Sequence, residues 1–380
     1  MASRKNGTAA RPLRAGIIGT GGIATGAHIP SYQKVEGVEL YAACDIIKER
    51  VEAMAERFGI PHVYTDYREM LADPQLDLVS ICTPPFAHKE AAIAALEAGK
   101  HVLCEKPMAL DGNEAQQMVD TWHRVRRKFN NKFTIGFHLR WGRTPQLLKR
   151  MIDAGELGEL YYGRASYLRR RGIPAWGVFT SRAKNGGGPL IDIGVHALDL
   201  ALWLMGHPAP ASVYGVTYCK FGKREGVYNP WGAWDPKTYD VEDSAFALIR
   251  FANGATLQLE CSWALNIERS TSQLILCGTE AGAQLEPFRV FQEKHGAVFD
   301  LVPPERPVEG ERGPQENLYQ REIEGFIRAI REDTDPLVLP EQALMVSRIV
   351  DAIYASDQQG RSVELAATPA VAGSRQPRRT

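Results

Sequence analysis

An apolar run at residues 13–18 leads straight into Gly19-Thr20-Gly21-Gly22-Ile23-Ala24, and this junction constrains the chain more than any other feature. A second apolar run, 38–44, ends on Asp45, with Ile46 next. Strand, G-x-G-x-x-A turn, helix, strand and terminal acid, in that order, describe a dinucleotide-binding unit. Gly19 permits the tight turn, Gly21 lets the backbone approach a pyrophosphate, and small Ala24 lets helix and strand pack closely. Gly22 and Ile23 complete the turn into the helix, whose N-terminus offers free N–H groups and a positive dipole end. Asp45 lies 26 residues after Gly19, beyond the usual offset of about 20. The segment His28-Ile29-Pro30 lengthens the connection. A carboxylate there binds a ribose 2′-hydroxyl and repels a 2′-phosphate, so the expected cofactor is NAD rather than NADP.

Beyond Asp45 the alternation continues. Helical patterns at 48–58, 67–72, 88–98 and 114–127 separate strand patterns at 76–82, 101–104 and 133–137. Such alternation implies an α/β fold, with a doubly wound parallel sheet of Rossmann type over 13–137. The pattern then changes. A helix at 145–154, a strand at 160–168 and a long apolar helix at 189–205 precede strands at 211–221, 244–251, 256–263, 273–277, 283–286 and 289–292. Ala252-Asn253-Gly254 marks a hairpin. Successive strands predict an α+β domain with a mostly antiparallel sheet over 138–365, closed by helices at 319–331 and 341–357. The polar, basic ends, 1–12 and 366–380, are expected to be flexible tails.

Charge excludes some partners. Lys plus Arg and Asp plus Glu balance at 45 each, so no global field recruits nucleic acid. Six scattered cysteines with no C-x-x-C pair fit reduced thiols in a cytoplasmic protein, and no metal site is expected. The apolar stretch 190–205 contains Asp192, His196 and Asp199 and is too short and too charged to span a membrane.

Three further motifs carry chemistry. Residues 81–88, I-C-T-P-P-F-A-H, place Cys82, Thr83, Pro84 and His88 at a strand's carboxyl end, the edge where open α/β sheets bind ligands. Residues 101–108, H-V-L-C-E-K-P-M, do the same for Glu105 and Lys106, which Pro107 keeps out of helical conformation. The third is G-G-G-P-L-I-D-I-G-V-H-A-L-D at 186–199. Asp192, His196 and Asp199 there fall within about 60° on one face of an otherwise apolar helix. Buried carboxylates must meet partners or line a cavity.

GTGGIA, AACD, CTPPFAH, CEKP and GGPLIDIGVHALD together resemble the glucose–fructose oxidoreductase / inositol dehydrogenase / MocA (Gfo/Idh/MocA) family over about 13–290. The resemblance implies a Rossmann domain followed by a substrate domain whose open sheet makes subunit contacts, and NAD(P)-linked redox chemistry on sugars and polyols. It aligns Lys106, Asp192 and His196 with the family's catalytic Lys, Asp and His. Oxidising a secondary alcohol requires the carbinol hydrogen to face nicotinamide C4 while the hydroxyl loses a proton. Imidazole titrates near working pH, which suits His196 as general base. Lys106 then stabilises alkoxide character, and Asp192 orients His196 or grips a neighbouring hydroxyl. Expected substrate contacts are His138, Arg140 and Trp176 beside Asp192 and His196, with Arg169–Arg171 as further candidates. Residues 221–239 form a long polar-aromatic segment that, with Trp176, either stacks on a sugar ring or contacts another subunit. A homodimer or homotetramer through the C-terminal sheet is expected. Two alternatives stand beside the dehydrogenase: a hydrolase or lyase that recycles bound NAD through a keto-sugar, and a non-catalytic nucleotide-binding regulator.

Overall fold

A computed structural model of the chain describes residues 11–302 and 317–365. Of the tails expected at 1–12 and 366–380, only residues 11 and 12 fall within the described residues. The first sheet contains β1 (Leu13–Ile18), β2 (Val38–Cys44), β3 (His62–Tyr64), β4 (Leu78–Ile81), β5 (His101–Cys104) and β6 (Phe133–Ile135). All neighbours pair in parallel in the order β3-β2-β1-β4-β5-β6. Every residue of β4 is buried, as a strand covered by helices on both faces requires. The strand order reverses between β1 and β4, which opens a crevice at their carboxyl ends. β3 was not expected from the sequence. It is only three residues long and lies at the sheet edge, too short for a periodic signal.

Local chemistry sets the helix ends. Gly112–Phe129 begins where the Asp111 carboxylate accepts the Glu114 N–H at 2.9 Å. It ends at Asn130 in left-handed conformation (φ 51°), after Arg126, Arg127 and Lys128 in the negative last turn.

The second sheet contains β7 (Leu160–Leu168), β8 (Pro210–Tyr218), β9 (Ser244–Phe251), β10 (Thr256–Ser262), β11 (Thr271–Gly278), β12 (Ala281–Gln284), β13 (Arg289–Lys294), β14 (Ala297–Leu301) and β15 (Val363–Glu364). Its order is β14-β13-β12-β11-β7-β10-β9-β8-β15, antiparallel throughout except for β7 beside β10. β14 and β15 escape the sequence pattern: all of β14 is exposed and shows no alternation, and β15 has two residues.

The apolar segment expected as one helix over 189–205 has wide π-helical turns at Leu190–Gly194 and then an α-helix, Val195–Leu204. All ten residues of the α-helix are buried, so it is a core helix of the fold. The later helix Leu318–Arg331 crosses back to the first sheet. Its Ile323, Phe326 and Ile327 complete a core with Ala15, Ile17, Ile29, Tyr32, Leu78 and Leu103.

Candidate active site

The crevice is built first by Gly19. Its φ is +89°, and a Cβ would lie 2.8 Å from the Cys82 carbonyl carbon and the Thr83 nitrogen. Only glycine lets the β1 and β4 loops meet this closely. A Cβ on Gly21 or Gly22 would have no neighbour within 4 Å, so the turn exposes its backbone into open space. Ile23 is half-buried, and Ala24 is buried in the wide turn Ala24–His28 that opens the helix.

Asp45 stands at the end of β2. Its Oδ2 accepts the Thr20 N–H at 2.9 Å and the Thr20 hydroxyl at 2.7 Å, and its Oδ1 accepts the Ile47 N–H at 3.0 Å. Burial works against its charge, but these donors and Arg50 outweigh it and hold the carboxyl below the usual aspartate range. Ile46 beside it is 89% exposed. The Thr83 hydroxyl is buried with no hydrogen-bond partner, at the strand end that faces the turn. An open glycine turn, an ionised acid and an unpaired hydroxyl around one crevice fit a dinucleotide.

His88 ties the two loops together: its ring nitrogens lie 2.8 Å from the Thr83 and Pro107 carbonyl oxygens. Glu105 points inward and pairs with His28 Nε2 at 2.8 Å. Burial opposes both charges, yet contacts with Cys82 and Glu105 push His28 up to about 10. The His28 hydrogen bond and charge hold the Glu105 carboxyl down. This buried pair anchors the backbone on which Lys106 sits, and sequence reasoning read His28 only as part of a lengthened connection.

Lys106 reaches across from the first sheet to the second half of the chain. Its Nζ donates to the Asp192 carbonyl oxygen at 2.7 Å and to Asp192 Oδ1 at 3.0 Å. Asp192 Oδ2 accepts the Trp263 indole N–H at 3.0 Å, and Arg169 Nη1 stands 3.9 Å away. Trp263 was absent from the sequence-based site. It follows β10 directly, and nothing in its local pattern separates it from a core residue.

His196, one helical turn beyond Asp192, is buried, and its Nδ1 makes no hydrogen bond. Burial, then the positive charge of Lys106, hold its imidazole well below the ordinary histidine range, so the ring is neutral. His138 packs edge-on against it with ring centroids 4.9 Å apart. Burial also pulls His138 down, to about 4, and Tyr319 packs on its other side at 4.4 Å. Lys106, Asp192, His196 and His138 thus bring an amine, a carboxylate and two neutral imidazoles together beside the carboxyl ends of β5 and β6.

Arg140 goes elsewhere. Its Nε and Nη2 donate to the two Asp199 oxygens at 2.8 and 2.6 Å, and Nη1 donates to Gln342 Oε1 at 2.6 Å and the Leu337 carbonyl at 3.2 Å. Nη2 also lies 3.2 Å from His207 Nε2. These contacts occupy all five guanidinium donors, in a residue that is 0% exposed. The polar stripe expected on one helix face therefore divides: Asp192 faces Lys106, whereas Asp199 faces Arg140 in the core. The π-helical turns around Asp192 depart from the 3.6-residue period on which that alignment rested. Trp176 is 55% exposed and forms an aromatic group with Trp231 and Phe179.

Residues 13–133 match the family described as "Oxidoreductase family, NAD-binding Rossmann fold", and residues 149–365 match "Oxidoreductase family, C-terminal alpha/beta domain". These are the two parts of the Gfo/Idh/MocA oxidoreductases. D-glucoside 3-dehydrogenase of Escherichia coli (strain K12) is 39% identical over 95% of this chain and 100% of its own length. Myo-inositol 2-dehydrogenase of Thermotoga maritima is 25% identical over 93% of this chain and 98% of its own. Levoglucosan dehydrogenase, solved in complex with NADH and levoglucosan, superposes with a TM-score of 0.79 at 25% identity, covering 93% of this chain and 99% of that one.

Proposed function

The chain belongs to the Gfo/Idh/MocA oxidoreductase family, and from that premise we propose that it is an NAD-dependent dehydrogenase that oxidises a secondary ring hydroxyl of a D-glucoside or related sugar. The observation that carries this reading is the reach of Lys106 across the crevice to Asp192, with the neutral His196 one turn away. Bound NAD supplies the hydride acceptor.

The chain's own residues manage the proton and the charge. Neutral His196 takes the hydroxyl proton, which an imidazole held well below its ordinary range does at neutral pH without first losing one. The Lys106 ammonium keeps a donor beyond the two that Asp192 occupies, and this third donor stabilises the developing alkoxide. Asp192, fixed by Lys106 and Trp263, accepts from a neighbouring sugar hydroxyl and sets the ring's orientation. His138 is the remaining proposed contact with the sugar ring, and Trp176 stands farther out, on the exposed rim. Arg140, with every donor engaged, holds the helix behind them. Asp45, Thr83 and the glycine turn hold the cofactor, and the ionised Asp45 selects NAD.

Tyr214, Tyr218 and Leu248 are exposed on one face of β8 and β9, with Tyr214 opposite Leu248 in register. This apolar sheet face supports the homodimer or homotetramer expected from the family likeness.

The test is NADH absorbance with NAD and a panel of methyl glucosides, free aldoses and inositols. The expected result is turnover, strongest on glucosides, that falls about a thousandfold in kcat/KM in Lys106→Met while NAD binding is retained. Full activity in that variant, or product release without net NADH, would overturn the proposal. The latter outcome selects the cofactor-recycling hydrolase.

A further inference from the structure

A closed circuit of contacts begins and ends on Asp192 Oδ2. It passes to the Trp263 indole N–H at 3.0 Å, then to Phe179 at a ring separation of 6.4 Å. From Phe179 it continues to Trp176 at 6.2 Å and from Trp176 to Trp231 at 5.6 Å. The Arg169 guanidinium lies 4.7 Å over the Trp231 ring and returns to Asp192 Oδ2 at 3.9 Å. Near the carboxylate the circuit is buried and polar; at the far side Trp176 and Trp231 are 55% and 41% exposed. Arg169 bridges Trp231 and the carboxylate.

The exposed indoles are held in place. Asn229 donates to the carbonyls of Ile173 at 2.8 Å and Gly232 at 2.9 Å, and accepts the Ile173 N–H at 3.2 Å. These bonds clamp the loop that carries Trp231 to the segment that carries Trp176. A Cβ on Gly172 would stand 3.2 Å from the Trp231 ring, so glycine makes room for it. The Trp234 indole N–H donates to the Gly222 carbonyl at 2.6 Å and closes the base of the loop. Two tilted indoles fixed in this way are a preformed platform that loses little entropy when a flat ring stacks on it.

We propose that Trp176 and Trp231 form a second subsite that holds the aglycone ring of a glycoside while its sugar ring lies at Asp192. This rests on the dehydrogenase reading above and narrows its substrate to glycosides with a ring-bearing aglycone. An arene and the C–H face of a second pyranose present the same flat apolar surface. The cationic Arg169 between the subsites donates to the glycosidic region and keeps Trp231 oriented.

The experiment uses the full chain with NAD and three probes: methyl glucoside, phenyl glucoside and cellobiose. NADH kinetics and calorimetric binding are both measured, for the native protein, Trp176→Ala, Trp231→Ala and the double Phe variant. Phenyl glucoside, cellobiose or both are expected to exceed methyl glucoside about tenfold in kcat/KM, an advantage of about 1.4 kcal/mol carried in KM. Each Ala variant removes the advantage and leaves methyl glucoside unchanged, and the Phe variant keeps most of it. Preference for phenyl glucoside alone assigns an arene, and preference for cellobiose alone a sugar. Equal kinetics and binding for all three probes, unmoved by the variants, overturn the subsite and leave the dehydrogenase reading intact. Tryptophan-dependent binding without NADH overturns the dehydrogenase reading and keeps the subsite. Neither binding nor turnover on any probe overturns both. A change of sedimentation in the Ala variants with no change in preference assigns the indoles to a subunit contact and overturns the proposal. Both side chains are substantially exposed, so thermal unfolding close to native serves as the folding control.

Discussion

Replacing Arg140 by methionine separates two roles that the sequence leaves open. If the guanidinium serves the core, the substitution strands both Asp199 oxygens, Gln342 Oε1, the Leu337 carbonyl and His207 Nε2, all facing a residue that is 0% exposed. Breaking a buried ion pair in this way costs about 3–5 kcal/mol. At about 2–4 °C per kcal/mol for a domain of this size, the melting temperature falls by about 10 °C. The loss also has a pH signature. Burial already raises the Asp199 carboxyl above its ordinary value despite Arg140, and without the guanidinium it rises further. A raised acid binds its proton more tightly in the folded state. The penalty is therefore smaller at pH 5 than at pH 8, because the folded state takes up the proton more readily as pH falls. Calorimetric melting across that range reads this directly. Adding Asp199→Leu removes the stranded charge and recovers at least half of the lost stability. The folded single variant keeps kcat/KM within about threefold at 20 °C, because any reach to substrate would cost about a hundredfold or more. An unchanged melting temperature together with a hundredfold loss of kcat/KM would refute the reasoning and return Arg140 to the substrate.

Three other outcomes follow from the site. Since burial and Lys106 hold His196 well below the ordinary histidine range, kcat/KM should show no acid limb at the ordinary histidine pKa of about 6.5; such a limb would place the base elsewhere. Asp45→Ser removes the ionised group at the end of β2 and should raise the NADP-to-NAD ratio of kcat/KM at least about tenfold, measured with saturating sugar; an unchanged ratio would show that Asp45 does not read the ribose. Gly19→Ala forces a Cβ within 2.8 Å of the Cys82–Thr83 peptide at φ +89° and should weaken NAD binding by about tenfold or more and lower the melting temperature. Native calorimetric affinity in that variant would contradict the close approach of the two loops.

The parts legible in sequence were those whose requirements are local. A glycine turn between two apolar runs specifies β1, the crevice and β2 within 33 residues, and the strand-end Lys106 and the helix-borne Asp192 could each be read in place. Their contact spans 86 residues and was not written in either segment. Separations of 71 and 77 residues hid Trp263 and the His28–Glu105 pair that fixes the Lys106 backbone. Helical spacing put Asp192 and Asp199 on one stripe, but the wide turns at Leu190–Gly194 and the guanidinium of Arg140 divide their duties. β3 and β15 are too short to show alternation, and β14 is exposed throughout.

The return of Leu318–Arg331 to the first sheet has a bearing on how such proteins diversify. Because Ile323, Phe326 and Ile327 plug the nucleotide half from the far end of the chain, a nucleotide half cut at the sequence boundary would expose a greasy socket in water. The halves are not cassettes to be exchanged by recombination at a single joint. New sugars must instead be met by altering the rim, where Trp176 and Trp231 stand exposed, while the laced-up interior is inherited whole.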